Sequence, residues 1–266
     1  MDIKIGFIGC GNMAGAMIGG ILKKKLVPAG NIMASAKSRE TVEKAEKQFS
    51  IAATQNNIEV AEFSDVLVLA VKPVYMEEVV REIADHVRED TIVVTLAPGK
   101  TLQWLRETFG RPIKIVRTMP NTPALVGEGM TALCPDDSVT DEDLRVVREI
   151  FESFGRCEIV KENMMDVVTG VSGSSPAYAF LFIEALADAA VHDGMPRKQA
   201  YEFAAQTLLG SAKMVLETAK HPGELKDMVC SPGGTTIEAV RVLEEKGFRS
   251  AVIEATLACI DKAGKL

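Results

Sequence analysis

Two glycine-rich stretches lie far apart in the chain, and both are of a kind that binds anions. Near the N-terminus, Gly9-Cys10-Gly11-Asn12-Met13-Ala14 fits the spacing G-x-G-x-x-G/A. In that pattern the first glycine permits a tight turn, and the second lets a pyrophosphate approach the backbone. The small third residue, here Ala14, allows close helix–strand packing. Towards the other end, Cys230-Ser231-Pro232-Gly233-Gly234-Thr235-Thr236 again sets bare N–H groups and small hydroxyls before a helical pattern. A third stretch, "GVSGSSP" at 170–176, has the same character. A helix N-terminus carries unsatisfied N–H groups and a partial positive charge, which suits a phosphate or a small carboxylate. The alternative for either later turn is plain N-capping by Ser or Thr.

Acids and bases for catalysis are scarce. The three histidines, His86, His192 and His221, show no metal-ligand spacing. His86 falls in a charged helical stretch of the N-terminal region, and the other two fall at helix ends, where capping is the commoner role. The helical segment from Ser174 to Gly194 contains no lysine, which speaks against a lysine-dependent hydroxyacid dehydrogenase. Tyr178 is either core or interface, given its apolar neighbours, or a proton donor. Reduction of a ketone develops an alkoxide that must be stabilised. A protonated imine is already a good hydride acceptor, so a substrate offering a carboxylate and a C=N bond fits this sequence.

The stretch after the second predicted strand bears on the cofactor. An NAD site usually places Asp or Glu about 20 residues beyond the glycines, on the ribose 2′-hydroxyl. Here Ser35, Ala36, Lys37, Ser38 and Arg39 bring hydroxyls and two cations, with no acid before Glu40. That favours NADP(H), unless Lys37 and Arg39 merely decorate a helix start. The ends of two further strands, "AVKP" (Ala70, Val71, Lys72, Pro73) and "LAPG" around Ala97, should line the same crevice. Lys72 either touches phosphate or ribose, or is a solvated lysine before a proline-fixed turn.

The elements that must position these residues are legible as patterns. Residues 1–160 alternate short apolar runs (3–8, 31–35, 66–71, 91–97, 113–119) with helical stretches. The run "VLVLAV" is unbroken, as expected of a parallel strand covered on both faces. This predicts an α/β, doubly wound, Rossmann-like parallel sheet for 1–160. Residues 161–266 read as an all-α domain with helices over 174–193, 196–220, 235–246 and 249–263. The helix "AYAFLFIEALADAA" is apolar nearly all round, so it should be buried on every side, and an intertwined homodimer would do that. Of the 266 residues 47% are hydrophobic, and the net charge of −7 argues against nucleic-acid partners. The five scattered cysteines read as reduced thiols of a cytoplasmic protein. No signal peptide, membrane span or metal site is expected.

In order along nearly the whole chain, "GFIGCGNMA", "AVKP", "MPNTP", "GVSGSSPAYAF" and "DMVCSPGGTTIEAV" resemble the pyrroline-5-carboxylate reductase family. The resemblance implies reduction of Δ1-pyrroline-5-carboxylate to L-proline with NADPH or NADH, the last step of proline synthesis. It implies a Rossmann domain followed by a helical dimerisation domain, in some members assembled further to a decamer. On the cofactor side it implies Gly9, Cys10, Gly11, Asn12 and Met13 at the pyrophosphate, with Ser35, Ala36, Lys37, Ser38 and Asn57 around the adenosine 2′-phosphate. Ala70, Val71, Lys72, Pro73 and Ala97 fall on the nicotinamide side. Gly233, Gly234 and Thr235 would donate N–H groups to the substrate carboxylate, and the Thr236 hydroxyl would lie near the ring nitrogen. Glu162, Met228 and Ser231 fall beside the substrate. Ala36 replaces a serine of some members, which weakens the NADPH preference. Met228 replaces an asparagine, leaving backbone or apolar contact there. A reductase of the six-membered piperideine carboxylate, or a non-catalytic NADP(H) sensor, are the other readings.

Overall fold

In the computed structural model, which describes residues 1–265, the apolar runs become strands with both faces covered. The first is β1 (Ile5–Ile8), with the glycine turn leading into α1 (Asn12–Lys23). There follow β2 (Ile32–Ser35), α2 (Arg39–Phe49), β3 (Ala52–Thr54), α3 (Asn57–Phe63), β4 (Val66–Leu69) and α4 (Met76–Ile83). Next come β5 (Ile92–Thr95), α5 (Leu102–Phe109), β6 (Lys114–Met119), β7 (Gly129–Pro135), α6 (Asp141–Glu152) and β8 (Gly155–Ile159). The sheet runs in the order β3-β2-β1-β4-β5-β6-β7-β8. The doubly wound expectation therefore holds, with one departure: β7 lies antiparallel to β6, and every other pairing is parallel.

β4 shows why such a strand reads as a continuous apolar run. Val66 and Val68 join one buried cluster with Ile5, Phe7, Met17 and Ile18, while Leu67 and Leu69 join another with Val80 and Ile83. Alternate side chains go to opposite faces, and helices cover both. β3, β7 and β8 lack that signature. β3 is short and half exposed, and β8 alternates buried Cys157 with exposed Arg156 and Glu158, as an edge strand does.

The chain divides into two compact units, residues 1–174 together with the C-terminal residues from Cys259, and residues 175–258. The first unit also carries α7 (Met165–Val168), which continues into a π-helical turn over Thr169–Gly173. The second is helical: α8 (Pro176–His192), α9 (Arg197–Thr218), α10 (Pro222–Val229), α11 (Thr235–Glu245) and the first part of α12 (Phe248–Ala263). α10 spans only eight residues and opens on Pro222-Gly223, so it does not show as a periodic pattern in the sequence.

Within the second unit α8 and α9 form a hairpin, closed by the Arg197–Asp188 ion pair, with Ala187, Ala200 and Ala204 buried. Phe182 packs on Phe248 with ring centroids 5.8 Å apart. The expected burial of α8 on every side is not met within one chain. Ala187 is its single buried residue, while Phe180 and Leu181 are 62% and 67% exposed. Phe203, Leu209, Ile253 and Leu257 are likewise exposed, so a broad apolar surface remains for another polypeptide. Among the described residues no helix is long and apolar enough to cross a membrane.

Candidate active site

The register of the parallel strands aligns the predicted cofactor residues. Ile8 pairs with Ser35 on one side and Leu69 on the other, and Leu69 pairs with Thr95. The residues that follow these four ends, Gly9, Ala36, Ala70 and Leu96, therefore share one edge of the sheet. Strand order reverses at β1, between β2 and β4, which is where α/β sheets open a ligand crevice. A cavity of about 1380 Å³ lies there. Gly9, Cys10, Gly11, Asn12, Ala36, Lys37, Ser38, Asn57, Val71 and Lys72 all line it. Met13, Ser35, Ala70, Pro73 and Ala97 are not among the residues that line it.

Gly9 has φ +94°, and its N–H donates to Ser35 O at 3.0 Å. A Cβ there would sit 2.8 Å from the backbone oxygen of Ala70, so only glycine fits between the two strand ends. Gly11 is the N-cap of α1, without a side-chain cap and without an acidic residue in the first turn. A Cβ on Gly11 would meet nothing within 4 Å. The N-terminal amides of α1 thus face open space, which suits a pyrophosphate. Burial raises the pKa of the Cys10 thiol, against a smaller lowering by Lys44. Cys10 therefore adds no negative charge to the turn.

At the end of β2 the polar residues form a directed chain. The buried Ser35 hydroxyl donates to Asn57 Oδ1 at 2.7 Å, and Asn57 Nδ2 donates to Glu82 at 2.7 Å. Lys37 Nζ lies 5.4 Å from the Tyr75 ring centroid, and Gln55 donates to the Lys37 carbonyl at 2.8 Å. Ser38 caps α2 by accepting from the Thr41 N–H, so its hydroxyl is engaged locally. Gln55, Tyr75 and Glu82 also line the cavity and escape sequence reasoning. They come from the bend after β3, the β4–α4 connection and α4, where no local motif marks them.

Glu162 lies in a short 3₁₀ turn before α7. Its Oε1 accepts from Leu102 N–H at 2.7 Å and from Arg117 at 3.0 Å. Arg117, on β6, is 6% exposed, and among the described residues its Nε has no partner. The carboxylate thereby ties the start of α5, and the loop bearing Ala97, to the middle of the sheet. Nearby, burial and the Glu162 charge push the Cys134 thiol up, with Arg117 opposing.

The C-terminal glycine turn in the helical unit links α10 to α11. Gly233 has φ +67°, and Gly234, in extended backbone, is the N-cap of α11 without a side-chain cap. The N–H of Gly234 closes the turn on Ser231 O at 3.1 Å, so it is not free for a ligand. Among the described residues the hydroxyls of Thr235 and Thr236 have no hydrogen-bond partner, and α11 begins uncapped. Capping by Ser or Thr is thus absent here. The "GVSGSSP" stretch behaves otherwise: it is wound into the π-helical turn, with Ser174 N–H bonded to Thr169 O at 2.8 Å and Ser172 O accepting from Asn121. Met228 is exposed at the end of α10. His221 caps α10 by accepting from Gly223 N–H, His192 closes α8, and His86 sits in a turn after α4 against Glu62. Among the described residues no group of three or more His, Cys, Asp or Glu could hold a metal ion.

Comparison with known proteins places this geometry among relatives. Residues 162–266 match the family model for pyrroline-5-carboxylate reductase dimerisation, and residues 4–99 match that for NADP oxidoreductase, coenzyme F420-dependent. The chain is 56% identical to the pyrroline-5-carboxylate reductase of Escherichia coli (strain K12), covering 100% of this chain and 99% of the relative. It is 41% identical to that of Methanosarcina acetivorans, over 99% and 97%. The crystal structure of Plasmodium falciparum pyrroline carboxylate reductase with NADP bound superposes with a TM-score of 0.90 at 34% identity, covering 99% and 98%.

Proposed function

The chain belongs to the pyrroline-5-carboxylate reductase family, and on that premise we propose how its parts divide the reaction. The protein is an oxidoreductase that reduces Δ1-pyrroline-5-carboxylate to L-proline with NADPH. Residues 1–160 bind NADP(H), and residues 161–266 bind the imino acid and dimerise. NADH serves as a second, weaker donor. The reaction completes proline synthesis in the cytoplasm, in keeping with five cysteines that are all free.

The residues present fit the cofactor, because the uncapped α1 and the open space over Gly11 form a cradle that a Cβ or a cap would fill. Gly9 to Met13 hold the pyrophosphate. Ser35 to Ser38 and Asn57 hold the adenosine ribose and its phosphate, and Ala70 to Pro73 with Ala97 bound the nicotinamide side. Bound there, NADPH supplies the hydride that the carbon of the C=N bond accepts.

The uncapped start of α11 carries the substrate half of the proposal. With no side chain on its first amides, the Gly233 and Thr235 N–H groups and the helix dipole hold the carboxylate. Gly234 shapes the turn through its bond to Ser231 O. The Thr236 hydroxyl holds the ring nitrogen, so catalysis is chiefly orientation. Met228 and Ser231 border the ring. The apolar surface of α8 and α9 is covered by a second copy, and by resemblance such dimers assemble further to a decamer.

NADPH oxidation with pyrroline-5-carboxylate tests the assignment. Thr236→Ala should lower kcat/KM about 100-fold, the scale of one lost transition-state hydrogen bond, with NADPH affinity and melting unchanged. Unaltered kinetics would remove Thr236 from the mechanism.

A further inference from the structure

Dinucleotide sites that favour NAD take an acid from the end of the second strand to bind the ribose 2′-hydroxyl. This chain has none there, only Ser35, Ala36, Lys37 and Ser38. The fold brings one from elsewhere. Glu82, on α4, lines the same cavity as Lys37, Ser38 and Asn57, and its carboxylate accepts from Asn57 Nδ2 at 2.7 Å. Asn57 in turn accepts from Ser35, which is 1% exposed. Because a carboxylate only accepts, the direction of the whole chain is settled: the Ser35 hydroxyl points at Asn57 Oδ1, and the amide nitrogen points at Glu82. Glu78 lines this wall as well. Against these two acids stands Lys37, drawn over the Tyr75 ring and without an ion pair among the described residues.

We propose that Glu82 sets the balance between NADPH and NADH. It acts in two ways, resting on the reading of this cavity as the adenosine end of the cofactor site. Its charge opposes the dianionic 2′-phosphate that Lys37 attracts, which narrows the margin of NADPH over NADH. Its hydrogen bond orients the Asn57 amide, so that the second N–H of Nδ2 is presented in a fixed direction at the cavity edge. The role of the missing β2 acid is thus filled by a residue from a helix two strands further along the chain.

Two variants separate these effects. Glu82→Gln keeps an acceptor for Asn57 and removes the charge; Glu82→Ala removes both. Equilibrium titration of NADPH and of NADH into each protein, followed by nucleotide fluorescence, gives the ratio of the two dissociation constants. The lost charge sits at the edge of a solvated cavity, where repulsion is strongly reduced, so the NADPH:NADH ratio of dissociation constants should fall about three- to tenfold in Glu82→Gln. That gain should shrink as salt is raised. Glu82→Ala should bind both nucleotides more weakly than Glu82→Gln, because its Asn57 amide is released. KM values for the two donors should move in the same sense. An unchanged ratio in Glu82→Gln, or equal shifts for both nucleotides, would overturn the proposal. Failure of the unmodified protein to bind either nucleotide would instead remove the cofactor reading of the cavity, and this proposal with it.

Discussion

Glu162→Gln tests whether a half-exposed carboxylate holds a buried cation in place. Arg117 has a side chain 7% exposed and one charged partner, Glu162, at 3.0 Å; Glu162 is 36% exposed. Removing one member of a fully buried pair costs about 3–5 kcal/mol, because the other charge is left uncompensated. The access of Glu162 to water reduces that figure, and glutamine can still accept from Leu102. We expect a loss of about 2 kcal/mol, or roughly 4–8 °C in Tm for a unit of this size. The reverse variant, Arg117→Met, leaves a carboxylate that can turn to solvent, and should cost about half as much. The double variant, with neither charge, should be more stable than Glu162→Gln alone. Thermal unfolding of the full chain at one protein concentration is the assay, since assembly makes Tm concentration-dependent. A Tm for Glu162→Gln within about 1 °C of the unmodified protein would refute the reasoning. So would Arg117→Met proving the more damaging single change.

Gly9→Ala places a Cβ 2.8 Å from the Ala70 oxygen at a φ of +94°. Strain of about 1–3 kcal/mol should appear as roughly five- to 150-fold weaker NADPH binding, read by fluorescence titration; an unchanged Kd would remove Gly9 from the pyrophosphate turn. Burial alone would raise the pKa of Asp136, but the Ser138 hydroxyl and amide and Arg106 outweigh it and hold the carboxyl below the usual range. Asp143 is held down likewise, with Lys114 and Thr140 overcoming burial. A depressed folded pKa contributes stability above the unfolded value near pH 4 and loses it as pH falls through the folded value. Tm should therefore drop on acidification below about pH 4, less steeply in Asp136→Asn than in the unmodified protein.

Much of this was legible in residue types and spacing. Gly9 and Gly11 on an apolar strand announce a dinucleotide turn, because few other residues allow that backbone path. The unbroken "VLVLAV" run implies two covered faces, and the all-round apolar "AYAFLFIEALADAA" implies a covering partner. The turn at 231–236 was marked by its two glycines, of which Gly233 takes the positive φ that glycine favours. Local pattern failed where partners come from distant segments. "GVSGSSP" has the composition of an open turn, yet it winds into a π-helical turn whose amides are used internally. β8 hides its one buried residue between charged ones. Gln55, Tyr75 and Glu82 carry no local signal, since their positions are set by strand order and by the register of the sheet.

Sequence alone determined the kinds of ligand this protein can hold, because glycine spacing and helix starts are local properties that survive without a fold. The tertiary structure decided which side chains govern that ligand. Ser35, Asn57 and Glu82 meet only because β2, α3 and α4 share one edge of the sheet. Arg117, Glu162 and Leu102 meet only because β6 lies beside β5, under the start of α5. Hydrogen bonds and ion pairs act over a few ångströms, and that proximity is a property of packing that no interval along the chain records.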